Sequence, residues 1–152
     1  MITGHDSGNF SEDPFRTVSA MTPEQLLHYA AEAAEKAYAP YSHFHVGAAL
    51  VTESGRLFFG CNVENGSFGM TICAERGAIA AWRVAGGDLP VTVAVVGRRG
   101  IPCMPCGACR QVLAEFNLAL RVVLEEGASF RIFSLADLLP FAFSLRDDDA
   151  RR

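Results

Sequence analysis

No stretch of the sequence approaches the eighteen or so apolar residues that a membrane-spanning helix requires, so a chain that stays in water is expected. The first twenty residues, MITGHDSGNFSEDPFRTVSA, have neither the basic start nor the apolar run of a secretory signal. The expected compartment is therefore the reducing cytoplasm. Basic residues are also scarce: 13 Lys and Arg stand against 17 Asp and Glu, a formal charge of −4. Arg98-Arg99 and Arg151-Arg152 are the only adjacent basic residues, and no nucleic-acid-binding stripe is expected from them. With 14 Gly, 7 Pro and half its residues hydrophobic, the chain is neither collagenous, low-complexity nor disordered. Cysteine is sparse and odd in number. Five thiols in a reducing compartment argue against a disulfide framework and for metal binding or catalysis.

The 152 residues make one domain, enough to bury roughly 70% of the surface that the unfolded chain exposes. Residues 1–20 read as a polar, disordered tail and residues 21–152 as the domain. Its acidic end, Asp147-Asp148-Asp149 before Arg151 and Arg152, reads as solvated. Thr22-Pro23-Glu24-Gln25 carries a helix start: Thr22 caps, Pro23 suits the first position and Gln25 completes a capping box. That helix is expected to run to about Ala39, where Pro40 stops it. Phe44 to Val51 and Arg56 to Cys61 flank Glu53-Ser54-Gly55 and predict a hairpin. A helix follows from about Cys73 to Val84, then the continuously apolar strand Val91 to Val96, expected to be central. Gly107 to Phe116 is again helical, Ala119 to Leu124 and Phe130 to Phe133 are strands, and Ser134 caps a short helix through Leu139. The order α-β-β-α-β-α-β-β-α predicts an α/β fold, a mixed five-stranded sheet covered by helices.

Chemistry concentrates at two of these helix starts. Cys106 and Cys109, in Pro105-Cys106-Gly107-Ala108-Cys109, share one face of a helix and can present both sulfurs to one cation. Helix N-termini favour thiolate over thiol, because unpaired amides and the macrodipole stabilise negative charge there. Cys73 occupies an equivalent place on its own helix. Three thiolates fill three corners of a zinc tetrahedron and leave the fourth open, as a catalytic site requires. Glu75, two residues past Cys73, can lie beside the metal without binding it and relay a proton. Arg76 can offset the excess negative charge of three thiolates around one divalent ion. Two blander readings stay open. Cys103 offers a fourth ligand for a purely structural zinc, and Cys106 with Cys109 alone resembles a redox pair. Cys61 reads as a buried apolar residue.

Cys73-Ala74-Glu75-Arg76 together with Pro105-Cys106-Gly107-Ala108-Cys109-Arg110-Gln111 resembles the small homotetrameric cytidine deaminases, of the cytidine and deoxycytidylate deaminase superfamily. The likeness runs from Thr22 through Ala39-Pro40-Tyr41-Ser42, Val46-Gly47-Ala48-Ala49-Leu50, Asn62-Val63-Glu64-Asn65 and Leu138-Leu139-Pro140. It implies zinc-dependent hydrolytic deamination of cytidine and deoxycytidine in pyrimidine salvage. Cys73, Cys106 and Cys109 would hold one Zn2+ per chain, and Glu75 would shuttle the proton. The Ala74 amide would contact the pyrimidine carbonyl, Phe44 would lie against the base, and Asn62 with Glu64 would hold the ribose. Phe143, or Phe141 two residues earlier, would be the aromatic that a neighbouring subunit donates, in a homotetramer with shared sites. The alternative within the superfamily is deamination of another amino-pyrimidine nucleoside, of the blasticidin type or a modified cytidine. Several positions depart from the family pattern, Phe141 and His45 among them. Phe68 stands where a ribose-reaching tyrosine is frequent, and Gly77 where a hydroxyl residue is usual.

Overall fold

The computed structural model describes residues 21–145. The expected tail at 1–20 and the acidic run at 147–149 lie outside the described residues. Helix α1 spans Pro23–Ala34, and Thr22 and Gln25 form the expected reciprocal capping box. The helix ends at Glu35, not near Ala39. Pro40 is not what stops it. Tyr38 is drawn into a bridge with Val63, its amide donating to the Asn62 carbonyl at 3.0 Å and its carbonyl accepting from Glu64 at 2.8 Å. A residue so engaged cannot continue a helix.

Strands β1 (Gly47–Thr52) and β2 (Leu57–Cys61) form the hairpin. Between them and helix α2 (Ala74–Ala85) lies a 3₁₀ turn at Phe68–Met70 that the sequence pattern did not mark. Strand β3 (Pro90–Val96), helix α3 (Gly107–Phe116), strands β4 (Arg121–Glu126) and β5 (Ser129–Ser134) and the short helix α4 (Leu135–Leu138) complete the order. The five strands form one mixed sheet in the order β2-β1-β3-β4-β5. Only β3 and β4 pair parallel, so β3 is central, as its apolar run predicts. Ser134 stands at the start of α4, but its side chain makes no capping bond.

Both faces of the sheet are covered, which is why strand residues of both parities are apolar. Ala48, Leu50, Phe58, Val93, Val95, Val122 and Leu124 pack with Ala78, Ile79 and Trp82 of α2, Leu113 of α3 and Leu135 of α4. Ala49, Val51, Leu57, Ala94, Val96 and Val123 pack on the other face with Leu26, Leu27 and Ala30 of α1. Two glycines let helices reach the sheet backbone. A Cβ on Gly47 would lie 1.9 Å from the Ala30 carbonyl oxygen, and one on Gly60 would lie 2.1 Å from that of Ala74. The second contact seats α2, and with it Cys73 and Glu75, directly on β2.

Candidate metal centre and active site

Cys73 is the N-cap of α2 and Cys106 the N-cap of α3, both with extended backbone, while Cys109 lies in the first turn of α3. Two helix starts thus face one another across a small gap. The three sulfurs lie within 4.8 Å of one another, with Cys73 Sγ 3.9 Å from Cys106 Sγ. Tetrahedral zinc with Zn–S bonds near 2.3 Å places its sulfurs about 3.8 Å apart, so this spacing fits that ion. Among the described residues this is the one group of three or more His, Cys, Asp or Glu side chains close enough to share a metal. Cys103 lies outside it. Among the described residues a closed four-ligand site therefore lacks its fourth donor. All five cysteines are free thiols, and Cys61 is half-buried.

The electrostatics make the same point. Burial raises the Cys73 and Cys109 thiols above their ordinary value, and the neighbouring negative groups, Glu75 among them, add to it. On Cys106 burial also acts upward. The amides of Cys109 and Ala108 facing its sulfur, with the thiols of Cys109 and Cys73, outweigh it and hold Cys106 below its ordinary value. Cys103 is pushed up to about 11, chiefly by burial and then by the charges of Glu75 and Cys73. Crowded thiols that resist joint ionisation are what a divalent cation would relieve.

Glu75 is buried, only 4% exposed, and burial pushes its carboxyl above the usual carboxylate range against the pull of its own amide and the Cys109 thiol. It stands beside the sulfurs without belonging to the ligand group. The Ala74 amide, at the first position of α2, is one of the donors that a helix start leaves unpaired inside the helix. The Arg76 side chain makes no hydrogen bond or ion pair among the described residues, so its charge reaches the sulfurs at most through space.

Phe44 is 41% exposed, and its ring meets Gly97 at the end of β3, where a Cβ would lie 2.8 Å from Cζ and 3.0 Å from Cys103 Sγ. Residues 44–46 run as loop where the sequence suggests strand. His43 has φ 55°, and Asn62 replaces the ladder. Asn62 Oδ1 accepts from the Val46 amide at 2.8 Å, and Nδ2 donates to the Phe44 carbonyl at 2.8 Å. Glu64 accepts from the Tyr41 amide at 2.9 Å, the Ser42 amide at 3.2 Å and the Ser42 hydroxyl. The Ser42 hydroxyl bond, with the two amides, holds its carboxyl below the usual range, although desolvation opposes it.

Glu64 lines a cleft of about 340 Å³ with Tyr41, Ser42, Phe68 and Thr71, in which Phe68 meets Tyr41 edge to face. A second cavity, about 310 Å³, lies by the start of α1 and is lined by Leu26, Thr52, Thr92 and Arg121. Neither cavity is lined by a cysteine, so the chemistry, not cavity size, locates the site. Phe141 is fully exposed and Phe143 is 68% exposed. Ser42, Arg110 and Gln111 stand in the segments that carry the family resemblance, but sequence reasoning gave none of them a role. The signal available was their place in those segments, the last two directly after Cys109.

Residues 21–125 match the family described as the cytidine and deoxycytidylate deaminase zinc-binding region. The cytidine deaminase of Mycobacterium tuberculosis (strain ATCC 25618 / H37Rv) is 45% identical over 118 residues, covering 78% of this chain and 86% of that one. That of Sporosarcina psychrophila is 44% identical over 129 residues, covering 84% and 95%. Among solved structures, the cytidine deaminase from Burkholderia pseudomallei superimposes with a TM-score of 0.77 at 50% identity, covering 81% of this chain and all of that one. The three sulfurs and the buried carboxylate thus lie within a chain whose residues 21–125 match this zinc-binding region, and the protein belongs to the cytidine and deoxycytidylate deaminase family.

Proposed function

We propose that the chain hydrolytically deaminates cytidine and deoxycytidine to uridine and deoxyuridine, as an enzyme of pyrimidine salvage. The observation that carries this is the three-sulfur group with Glu75 buried beside it and outside it. Cys73, Cys106 and Cys109 hold the zinc. Held there, zinc would make a water acidic enough to supply a nucleophile at neutral pH, the established chemistry of zinc deaminases.

The remaining work belongs to the chain's own groups. Glu75 carries a proton to ring N3 of the pyrimidine and then to the departing amino group. The Ala74 amide donates to the pyrimidine carbonyl, and the Phe44 ring lies against the base. Glu64, fixed by Ser42 and Tyr41, turns its remaining lone pairs to the ribose hydroxyls. Asn62 keeps one Nδ2 hydrogen for the ribose beyond its bond to Phe44. Arg76 tempers the negative charge through space. Phe143 is the aromatic that one subunit lends another in a homotetramer, a reading supported by its exposure and by that of Phe68 and Met70. Five free thiols suit a cytoplasmic setting.

Ultraviolet absorbance with cytidine, deoxycytidine, cytosine, dCMP and blasticidin S, each run separately on the zinc-loaded protein, tests the reading. Loss of the cytidine and deoxycytidine signals, with cytosine and dCMP untouched, is expected. Activity on blasticidin S alone discards the ribose role of Asn62 and Glu64. Glu75→Gln should keep its zinc and lose about 10²–10⁴-fold in turnover. Zinc lost together with activity would make Glu75 a ligand and refute its role as shuttle.

A further inference from the structure

Arg110 follows Cys109 directly, and nothing in the chemistry above uses it. Its guanidinium donates from Nε to the Pro105 carbonyl at 2.8 Å and from Nη1 to the Leu138 carbonyl at 2.7 Å. Pro105 immediately precedes Cys106, and Leu138 is the last residue of α4. One residue on, Gln111 Nε2 donates to the Phe143 carbonyl at 2.9 Å. Three bonds from two neighbouring side chains of α3 thus tie the loop that carries a metal ligand to the segment that carries Phe141 and Phe143.

The guanidinium is planar and its donors keep fixed positions. While both bonds last, the Pro105 and Leu138 carbonyls therefore keep a fixed separation, and a displacement of one is passed to the other. Phe141 is fully exposed and Phe143 largely so, so burial of their rings is not what holds the segment. It is held through its carbonyls, and the donors sit on the metal-bearing helix.

We propose that Arg110 and Gln111 are positioning residues that couple the metal loop to the C-terminal arm, so that filling the three-cysteine centre orders Phe141 and Phe143. The coupling rests on the zinc reading above and on Phe143 serving a substrate site. With the metal bound, Cys106 is fixed, Pro105 with it, and Arg110 and Gln111 hold the arm in register. Without it, the loop moves and the arm follows. Since Phe143 serves a neighbouring subunit, the metal state of one subunit then reaches the substrate site of another.

Backbone ¹⁵N order parameters of Phe141, Phe143 and Ser144 in the full chain, measured with and without zinc alongside the zinc-to-protein ratio, test the coupling. Values of about 0.85 with zinc and below about 0.6 without it are expected. In Arg110→Gln and in the milder Gln111→Ala, the zinc-loaded arm should already sit at the lower value while the ratio stays at one. Arg110→Lys, which reaches only one carbonyl, should fall between. KM for cytidine should rise about fivefold or more in both loosened variants, with kcat within about twofold. An arm equally ordered with and without bound zinc overturns the proposal, as does a zinc effect that survives in Gln111→Ala and Arg110→Gln. Failure to take up zinc at all is seen separately in the ratio; it refutes the metal reading, and the coupling falls with it.

Discussion

Gly60→Ala offers a way to unseat the metal centre from a distance. The added methyl would lie 2.1 Å from the Ala74 carbonyl oxygen, 2.4 Å from the Ala78 amide nitrogen and 2.9 Å from the Gly77 carbonyl carbon, all backbone atoms of α2. Side-chain carbons essentially never approach such atoms closer than 3.0 Å, so α2 must retreat by at least about 0.9 Å. Cys73 caps that helix and Glu75 lies in its first turn. Metal–ligand distances tolerate about 0.2 Å, so most of the retreat appears as a misplaced sulfur. Overpacking of this kind costs about 1–3 kcal/mol of stability, and a 1 Å misplacement of reacting groups costs about 10²-fold in rate.

The assay is zinc retention against a graded chelator, with urea unfolding of the same samples. Gly77→Ala is the control. Its Cβ would lie 3.4 Å from the Gly60 Cα, an ordinary contact, and replacing a helix-interior glycine gains about 1 kcal/mol. Gly77→Ala should therefore melt higher and hold its zinc. If Gly60→Ala keeps parental zinc affinity and unfolding midpoint, the close seating of α2 on β2 is wrong.

Asn62→Ala tests the second role of a residue assigned to the ribose. Its loss leaves the Phe44 carbonyl and Val46 amide without partners, and about 2–3 kcal/mol of stability should go with them. An unchanged urea midpoint with weakened substrate binding would restrict Asn62 to substrate. Asp88 accepts from the Ser54 amide and hydroxyl, and these bonds, with a contribution from Thr52, hold its carboxyl below the usual range although desolvation opposes them. A depressed folded value means that the stabilisation is present above the unfolded value of about 3.9 and fades as pH falls through the folded one. Asp88→Asn should therefore unfold more easily at pH 7, by less than about 1 kcal/mol at so exposed a site. The gap should close below about pH 4, and a gap that persists there would assign it to something other than the charge.

Most of the element order was legible because it is written locally. Thr22 and Gln25 mark a start within three residues, and the apolar run of β3 needs no partner to announce burial on both faces. The three-cysteine group was legible for the same reason: each member stands at a helix start, and the pairing of Cys106 with Cys109 is a spacing along one helix. What sequence reasoning missed depends on distant partners. The end of α1 is set by Val63, 25 residues from Tyr38. The loop at 44–46 is stitched by Asn62, and Glu64 is oriented by Ser42, 22 residues away. Arg110 reads as an ordinary helix residue until Leu138 comes to lie beside it. Contacts between chain segments far apart leave no period and no motif.

Cys73 and Cys106 are 33 residues apart, and the chain between them contains all of α2 and β3. An ion joining them is a removable cross-link. By the loop-closure reckoning used for disulfides, tying off a stretch of that length disfavours the unfolded chain by about 3–4 kcal/mol. Folded domains commonly have only about 5–15 kcal/mol in hand, so the unloaded protein spends far more time open to proteases. A cell short of zinc therefore holds fewer copies of this protein, and not merely a full complement of idle ones.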